Sequence, residues 1–215
     1  MGIDRLFLYE GSPALITTCL KKIALAAGII FVFPLVLFVW IGRAFNTESV
    51  FDMVAQGISL LPGIPGNYLR LGFYILTLRS VKPNVVIQFG TIFTKRTASI
   101  GSNVCIGAYC IIGNAEIEDG ALIGSRVSLM SGKYQHGGGI VQSTVSDEGR
   151  FERITIGEKT WIGEGSIVGA NIGRGCVVAA GSVVMRDIPN GYLVSGNPAK
   201  LVRISSWSTS LSPKS

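Results

Sequence analysis

A single histidine serves the whole 215-residue chain, so any imidazole chemistry it performs is confined to one position. That residue, His136, sits in Ser131-Gly132-Lys133-Tyr134-Gln135-His136-Gly137-Gly138-Gly139, between two regularly patterned stretches. An imidazole titrating near neutral pH can take a proton from a hydroxyl or amine and return one to a leaving group, which makes His136 the candidate general base. A lone histidine is otherwise a packing or solvated residue; its place in a long insertion within a repeating pattern is what singles it out. Cys19, Cys105, Cys110 and Cys176 form no CxxC pair, and Cys110 and Cys176 occupy small-residue slots of the pattern. They are expected as reduced packing thiols, and no metal site is expected.

The pattern that must position this histidine has a period of six. Ile100-Gly101, Ile106-Gly107 and Ile112-Gly113 fall six residues apart, followed by Ile117, Ile123 and Leu129. It returns at Ile156-Gly157, Ile162-Gly163 and Val168-Gly169, drops two residues, and continues at Ile172-Gly173, Val178 and Val184. Six divides into neither helical turns nor strand alternation, so each hexad predicts one short flat side and one corner of a solenoid. The aliphatic residue points inward, Gly or a small polar residue follows at the corner, and Ala98, Val104, Cys110, Ala121 and Val127 mark a stacking position four places on. Most of the 28 glycines fall at such corners rather than in low-complexity runs. Because the phase survives the interruption, residues 131–153 are expected as a loop thrown out of a continuous prism.

Residues Ile23 to Ile41 form a nineteen-residue run in which only Gly28 and Pro34 are not strongly apolar. A helix of that length reaches about 28 Å, close to the hydrocarbon thickness of a bilayer. No small-x-small cleavage pattern follows Trp40-Ile41-Gly42-Arg43, so the segment is expected to stay. Lys21 and Lys22 before it and Arg43 after it leave the orientation open, and Pro34 admits a re-entrant helix as well as a span. Downstream, Tyr68 to Leu76 suits a helix at the headgroup boundary or one capping the open end of the solenoid. The net charge of +6 splits into +2 for residues 1–80 and +4 beyond, without a basic stripe interleaved with aromatics. Nucleic acid is therefore not an expected partner, whereas phosphate-bearing small molecules and membrane are.

The hexads, the loop carrying His136, Thr160-Trp161-Ile162-Gly163, Gly181-Ser182-Val183-Val184 and Gly196-Asn197-Pro198-Ala199-Lys200 together resemble the hexapeptide-repeat acyltransferases, over roughly residues 84 to 204. The likeness is to the branch that acetylates sugars and polysaccharide precursors with acetyl-CoA. It implies a mainly β fold, a left-handed parallel β-helix, assembled as a homotrimer with active sites between subunits. It implies His136 as the base that deprotonates the acceptor for direct attack on the thioester, without an acyl-enzyme. In many members the base follows the loop's Ser/Thr-Gly within two residues; here His136 lies four positions after Gly132. Trp161 is similar to the aromatic that packs on the pantetheine arm, with the backbone of Gly163 and Ala180 alongside. Arg186, Lys200 and Arg203 resemble the basic residues that meet the CoA phosphates.

The chain is accordingly expected to comprise membrane-associated helices over 1–82, the β-helix over 83–204 with its loop 131–153, and a tail over 205–215. The γ-type carbonic anhydrases share this solenoid but need three histidines. A nucleotidyltransferase needs a Gly-rich phosphate loop that residues 1–80 lack. The expected activity is O-acetylation of a lipid-linked sugar or surface-polysaccharide precursor at the cytoplasmic face of a bacterial inner membrane. The alternatives are a soluble nucleotide-sugar amine or other small acceptor, and a non-catalytic membrane-tethered scaffold. Asp147, Glu148 and Arg150 offer polar groups to an acceptor pocket.

Overall fold

A computed structural model describes residues 14–45, 48–131 and 152–202. Three helices, α1 (Ala14–Ala44), α2 (Ser49–Ser59) and α3 (Gly63–Thr77), precede sixteen short strands, numbered β1 to β16 in chain order. The strands stack as a three-sided left-handed parallel β-helix of about five turns. Its first face holds β1 (Ser80–Val81), β4 (Ser99–Ile100), β7 (Ala115–Ile117) and β10 (Ile154–Ile156), extended by single bridges from Ile156 to Ile172 and on to Ile188. The second holds β2 (Val86–Ile87), β5 (Cys105–Ile106), β8 (Leu122–Ile123), β11 (Trp161–Ile162), β13 (Val177–Val178), β15 (Leu193–Ser195) and β16 (Lys200–Val202). The third holds β3 (Ile92–Phe93), β6 (Ile111–Ile112), β9 (Ser128–Leu129), β12 (Ile167–Val168) and β14 (Val183–Val184).

The hexad residues do what their spacing predicts. Ile87, Ile106, Ile123, Ile162, Val178 and Val194 form one buried column, and Phe93, Ile112, Leu129, Val168 and Val184 another. Each such side chain contributes about 1.5–3 kcal/mol by leaving water. The stacking residues Ala98, Val104, Cys110, Ala121 and Val127 are all buried. Where glycine follows the aliphatic residue, close approach requires it: a Cβ on Gly107 would lie 2.5 Å from the Ser125 amide nitrogen of the next coil. Parallel register lets each coil's amides meet the carbonyls of the next, as Gly107 N–H does with Ile123 O at 2.8 Å.

The helices close the first coil. Phe51, Val54, Ala55 and Ile58 of α2 and Leu71, Phe73 and Tyr74 of α3 are buried. Phe51 stacks on Phe73, and Tyr74 meets Phe93 of the prism edge-on at 4.7 Å. Arg70, fully buried, donates to Ile87 O of the prism (2.9 Å), to Ser59 O and Leu61 O of the α2–α3 turn, and to Asn67. The Gly90 amide adds a bond to Ser59 O at 2.8 Å. Of the two roles expected for the segment containing Tyr68 to Leu76, α3 therefore takes the capping one, because its inner side packs on the prism and its outer side lies under α1.

α1 is longer than the apolar run and continues through Pro34. One stripe of it is buried, namely Gly28, Val32, Val36, Val39 and Gly42, at spacings of three and four that keep one helix face inward. Gly28 meets the Tyr68 backbone so closely that a Cβ would lie 2.9 Å from its carbonyl oxygen, and a Cβ on Gly42 would lie 2.8 Å from the Val50 side chain. The remaining faces expose Ile23, Ile30, Phe31, Phe38, Trp40 and Ile41. Thr18–Ala44 is long and apolar enough to cross a membrane, with mean hydropathy 2.7.

Candidate active site

Corner amides cannot all pair with the neighbouring coil, and the three edges of the prism treat them differently. Along the edge between the first and second faces, side chains cap them: Ser102 N–H meets Asp119 Oδ1 (2.7 Å), Glu158 N–H meets Glu118 Oε2 (2.9 Å) and Arg174 N–H meets Asn190 Oδ1 (2.8 Å). Along the edge between the third and first faces, Asn114 N–H meets Ser131 Oγ (2.8 Å) and Asn171 N–H meets Asp187 Oδ1 (2.9 Å). Along the edge between the second and third faces, the amides of Ala108, Ser125, Glu164 and Ala180 have no acceptor among the described residues. Four successive corner amides without partners among the described residues, on an edge where no side chain caps them, can pair with an extended ligand that brings its own carbonyls.

Three of the residues singled out in the sequence meet on or beside that edge. Gly163 donates to Val178 O at 2.7 Å, and a Cβ on it would fall 2.5 Å from the Ala180 nitrogen, so glycine keeps the two coils in register there. Ala180 is exposed. Trp161, on the adjoining second face, is 45% exposed, unusual for a large aromatic without a partner. Its backbone is fixed by Thr160, whose buried hydroxyl donates to Gly173 O (2.6 Å) and accepts from Cys176 N–H (3.0 Å). Arg186 and Lys200 are exposed near the C-terminal end of the prism, Arg186 after β14 toward the first face and Lys200 in β16, which pairs antiparallel with β15. The structure thus joins Trp161, Gly163 and Ala180, and leaves Arg186 and Lys200 on different sides of that end. The turn before Lys200 packs on the open edge, since Gly196 N–H meets Ser182 Oγ (3.2 Å) and Ala199 N–H meets Val183 O (2.8 Å).

His136 and Arg203 lie outside the described residues, as do Asp147, Glu148 and Arg150. The base of the long loop is described, and one residue anchors both of its ends. Asn114 N–H donates to Ser131 Oγ on the outgoing side, and Asn114 O accepts from Ile154 N–H (3.0 Å) on the return. Thr97 Oγ1 bonds Asn114 Oδ1 at 2.8 Å, while Arg153 reaches Glu116 at 3.3 Å and donates to Thr97 O. The loop therefore leaves and returns on the edge between the third and first faces, with the third face between it and the open edge. Sequence reasoning missed this anchor; its signal was the step of five rather than six from Ile112 to Ile117, which places Asn114 at a tightened corner.

The cysteines behave as packing groups. Cys110 and Cys176 are buried and donate to Gly124 O and Pro189 O, each at 3.0 Å. Burial holds the Cys105 and Cys110 thiols above the usual range, which disfavours thiolate chemistry.

Comparison with known proteins agrees with this architecture. A family profile described as the hexapeptide repeat of succinyl-transferase matches residues 153–186. The bifunctional protein GlmU of Pseudoalteromonas atlantica is 29% identical over 187 aligned positions, which cover 74% of this chain and 38% of that protein, so the chain spans well under half of this relative. A galactoside acetyltransferase in complex with coenzyme A superimposes with a TM-score of 0.61 at 20% identity, covering 70% of this chain and 77% of the other. A maltose O-acetyltransferase from Clostridium difficile 630 gives 0.59 at 21% identity, covering 71% and 83%. At those identities the structural likeness is one of fold. Hexad-punctuated coils, a matching repeat profile and a prism shared with these enzymes together show that the chain carries hexapeptide repeats folded as a left-handed parallel β-helix.

Proposed function

We propose that the protein is an acetyl-CoA-dependent O-acetyltransferase whose acceptor is a lipid-linked sugar or surface-polysaccharide precursor, acting at the cytoplasmic face of the membrane. The observation that carries this reading is the open edge: uncapped amides from Ala108 to Ala180 beside an exposed Trp161 suit a pantetheine arm, whose amides pair with backbone and whose apolar stem packs on indole. Arg186 and Lys200, with Arg203, supply positive charge for the CoA phosphates toward the C-terminal end. The solved structures sharing the fold include acetyltransferases named for galactoside and maltose, one of them holding CoA.

In the proposed reaction His136 takes the proton of an acceptor hydroxyl as its oxygen attacks the thioester carbon. The tetrahedral intermediate collapses by expelling the CoA thiolate, which leaves as the thiol when the imidazolium returns the proton. Backbone amides of a neighbouring coil stabilise the oxyanion. Within a protomer the loop base and the open edge stand on opposite margins of the third face, which favours a site shared between copies. Outward residues support such packing: Val86, Leu122, Trp161, Val177 and Leu193 on the second face, and Ile92, Ile111 and Ile167 on the third, are apolar, whereas Ser80, Ser99, Glu116 and Thr155 make the first face polar. Exposed apolar surface on two faces fits a homotrimer.

α1 supplies the membrane attachment, and that attachment is the reason for choosing a lipid-linked acceptor. The test is release of CoA from acetyl-CoA by the full chain, followed with a thiol-trapping dye on lipid-linked and water-soluble acceptors. Turnover favouring the lipid-linked acceptor and abolished by His136→Ala is expected. Turnover unaffected by that substitution overturns the catalytic assignment, and a strong preference for a soluble acceptor overturns the choice of substrate.

A further inference from the structure

A charged recess outside the open edge lies where the helices meet the first coil. It is a cleft of about 460 Å³ lined by Arg43 at the end of α1, Glu48 and Asp52, Arg79 at the start of the prism, and Lys95, Arg96 and Thr97 at the corner after β3. Four basic groups face two carboxylates. Glu48 is already held by Arg96 at 2.6 Å, and the Arg96 guanidinium also lies over the Phe51 ring at 5.9 Å. Burial first, and Glu48 second, push the Asp52 carboxyl above the ordinary range, with Lys95 opposing. The cleft thus has positive character beyond its internal pairing.

Two neighbours give the cleft a direction. At one end is α1, which touches the cap at Gly28 and again at Gly42, points about 21 Å apart along a helix. A helix in contact at both points lies flat across α2 and α3. Standing it across a bilayer would carry the cap and the polar corners of the first coil, with exposed Lys82, Asn84 and Thr97, into hydrocarbon. An α1 lying in the membrane plane, with its outer face in the acyl region and Arg43 at headgroup depth, avoids that burial. At the other end is Thr97, bonded to Asn114 and Arg153 at the base of the loop that carries His136.

We propose that this cleft binds the phosphate or diphosphate of a membrane lipid, holding the lipid-linked acceptor with its tail beside the outer face of α1 and its sugar directed toward the loop base at Asn114. The inference rests on the lipid-linked reading above. Arginine and lysine side chains around a recess bind phosphate oxygens by charge-assisted hydrogen bonds, strongest where water is thin.

Binding of the full chain is measured to phosphatidylcholine nanodiscs carrying a polyprenyl diphosphate, and to nanodiscs carrying the polyprenyl alcohol of equal length, with inorganic diphosphate as a soluble competitor. Diphosphate discs are expected to bind at least about tenfold tighter than alcohol discs, a gain that Arg79→Gln with Lys95→Gln removes and Arg79→Lys retains. Thermal unfolding of each variant reports folding, and Arg79→Gln alone stands in if the double variant is unstable. Equal binding to both discs overturns the proposal, as does a gain that survives neutralising the cleft. Competition by inorganic diphosphate at concentrations matching the lipid assigns the site to a soluble phosphate and rejects the lipid. CoA release measured on the same preparations separates the two readings. Diphosphate binding without turnover sinks acyl transfer alone, and turnover without a diphosphate gain sinks the cleft alone.

Discussion

At the residue scale the structure turns Trp161 from a motif member into a physical anomaly. A half-exposed indole beside uncapped amides costs solubility, and a ligand's apolar stem removes that cost. Trp161→Ala is expected to raise KM for acetyl-CoA about tenfold with kcat little changed, because the contact is equally present in ground and transition states. Steady-state kinetics at saturating acceptor check this, and a fall in kcat alone would remove Trp161 from the binding site. The six-residue period made legible which coil Trp161, Gly163 and Ala180 occupy, whereas a role for them beside CoA was implied only by the resemblance and belongs to the proposal. The uncapped edge was not, since it depends on which side chain reaches which amide on a neighbouring coil. Asp119, Glu118 and Asn190 cap one edge, whereas the corresponding positions on the open edge are Ala108, Ser125, Glu164 and Ala180.

At the scale of elements, the joint between cap and prism rests on Arg70. Its guanidinium satisfies carbonyls from α2's end, from the turn into α3 and from β2, and burial lowers its pKa by desolvation, with Tyr74 opposing. Arg70→Met keeps much of the volume but strands those carbonyls, and is expected to cost about 3 kcal/mol or more. Urea unfolding measures it; a change below about 1 kcal/mol would show that water or neighbouring donors replace the guanidinium. Arg70→Lys is expected to rescue little, because one ammonium cannot span carbonyls on three segments. A sequence shows an arginine within an apolar helix and gives no sign of which it is, an interfacial anchor or a buried staple. The difference is made by where the α2–α3 turn brings Ser59 and Leu61.

For the molecule as a whole, two apolar outer faces and one polar face predict an assembly that buries the second and third faces. Ile111 and Ile167 are 51% and 40% exposed, so glutamates there leave the protomer's core intact while placing charge in the contact. Ile111→Glu with Ile167→Glu is expected to convert the proposed trimer, solubilised in detergent, into protomers of 22.9 kDa by light scattering, and to abolish CoA release with it. An unchanged mass would reject these faces as the interface. The amino-acid sequence alone determined the prism, its interruption, the apolar helix and the candidate base, because each follows from spacing or composition along the chain. Only the tertiary structure decided that α3 caps the coil, that α1 packs along it, that Asn114 gathers both ends of the loop, and that a basic cleft lies between the end of α1 and the base of that loop. Those relations bring together residues far apart in the chain, such as Arg43, Arg79 and Arg96, through packing of faces whose mutual angle no local period encodes.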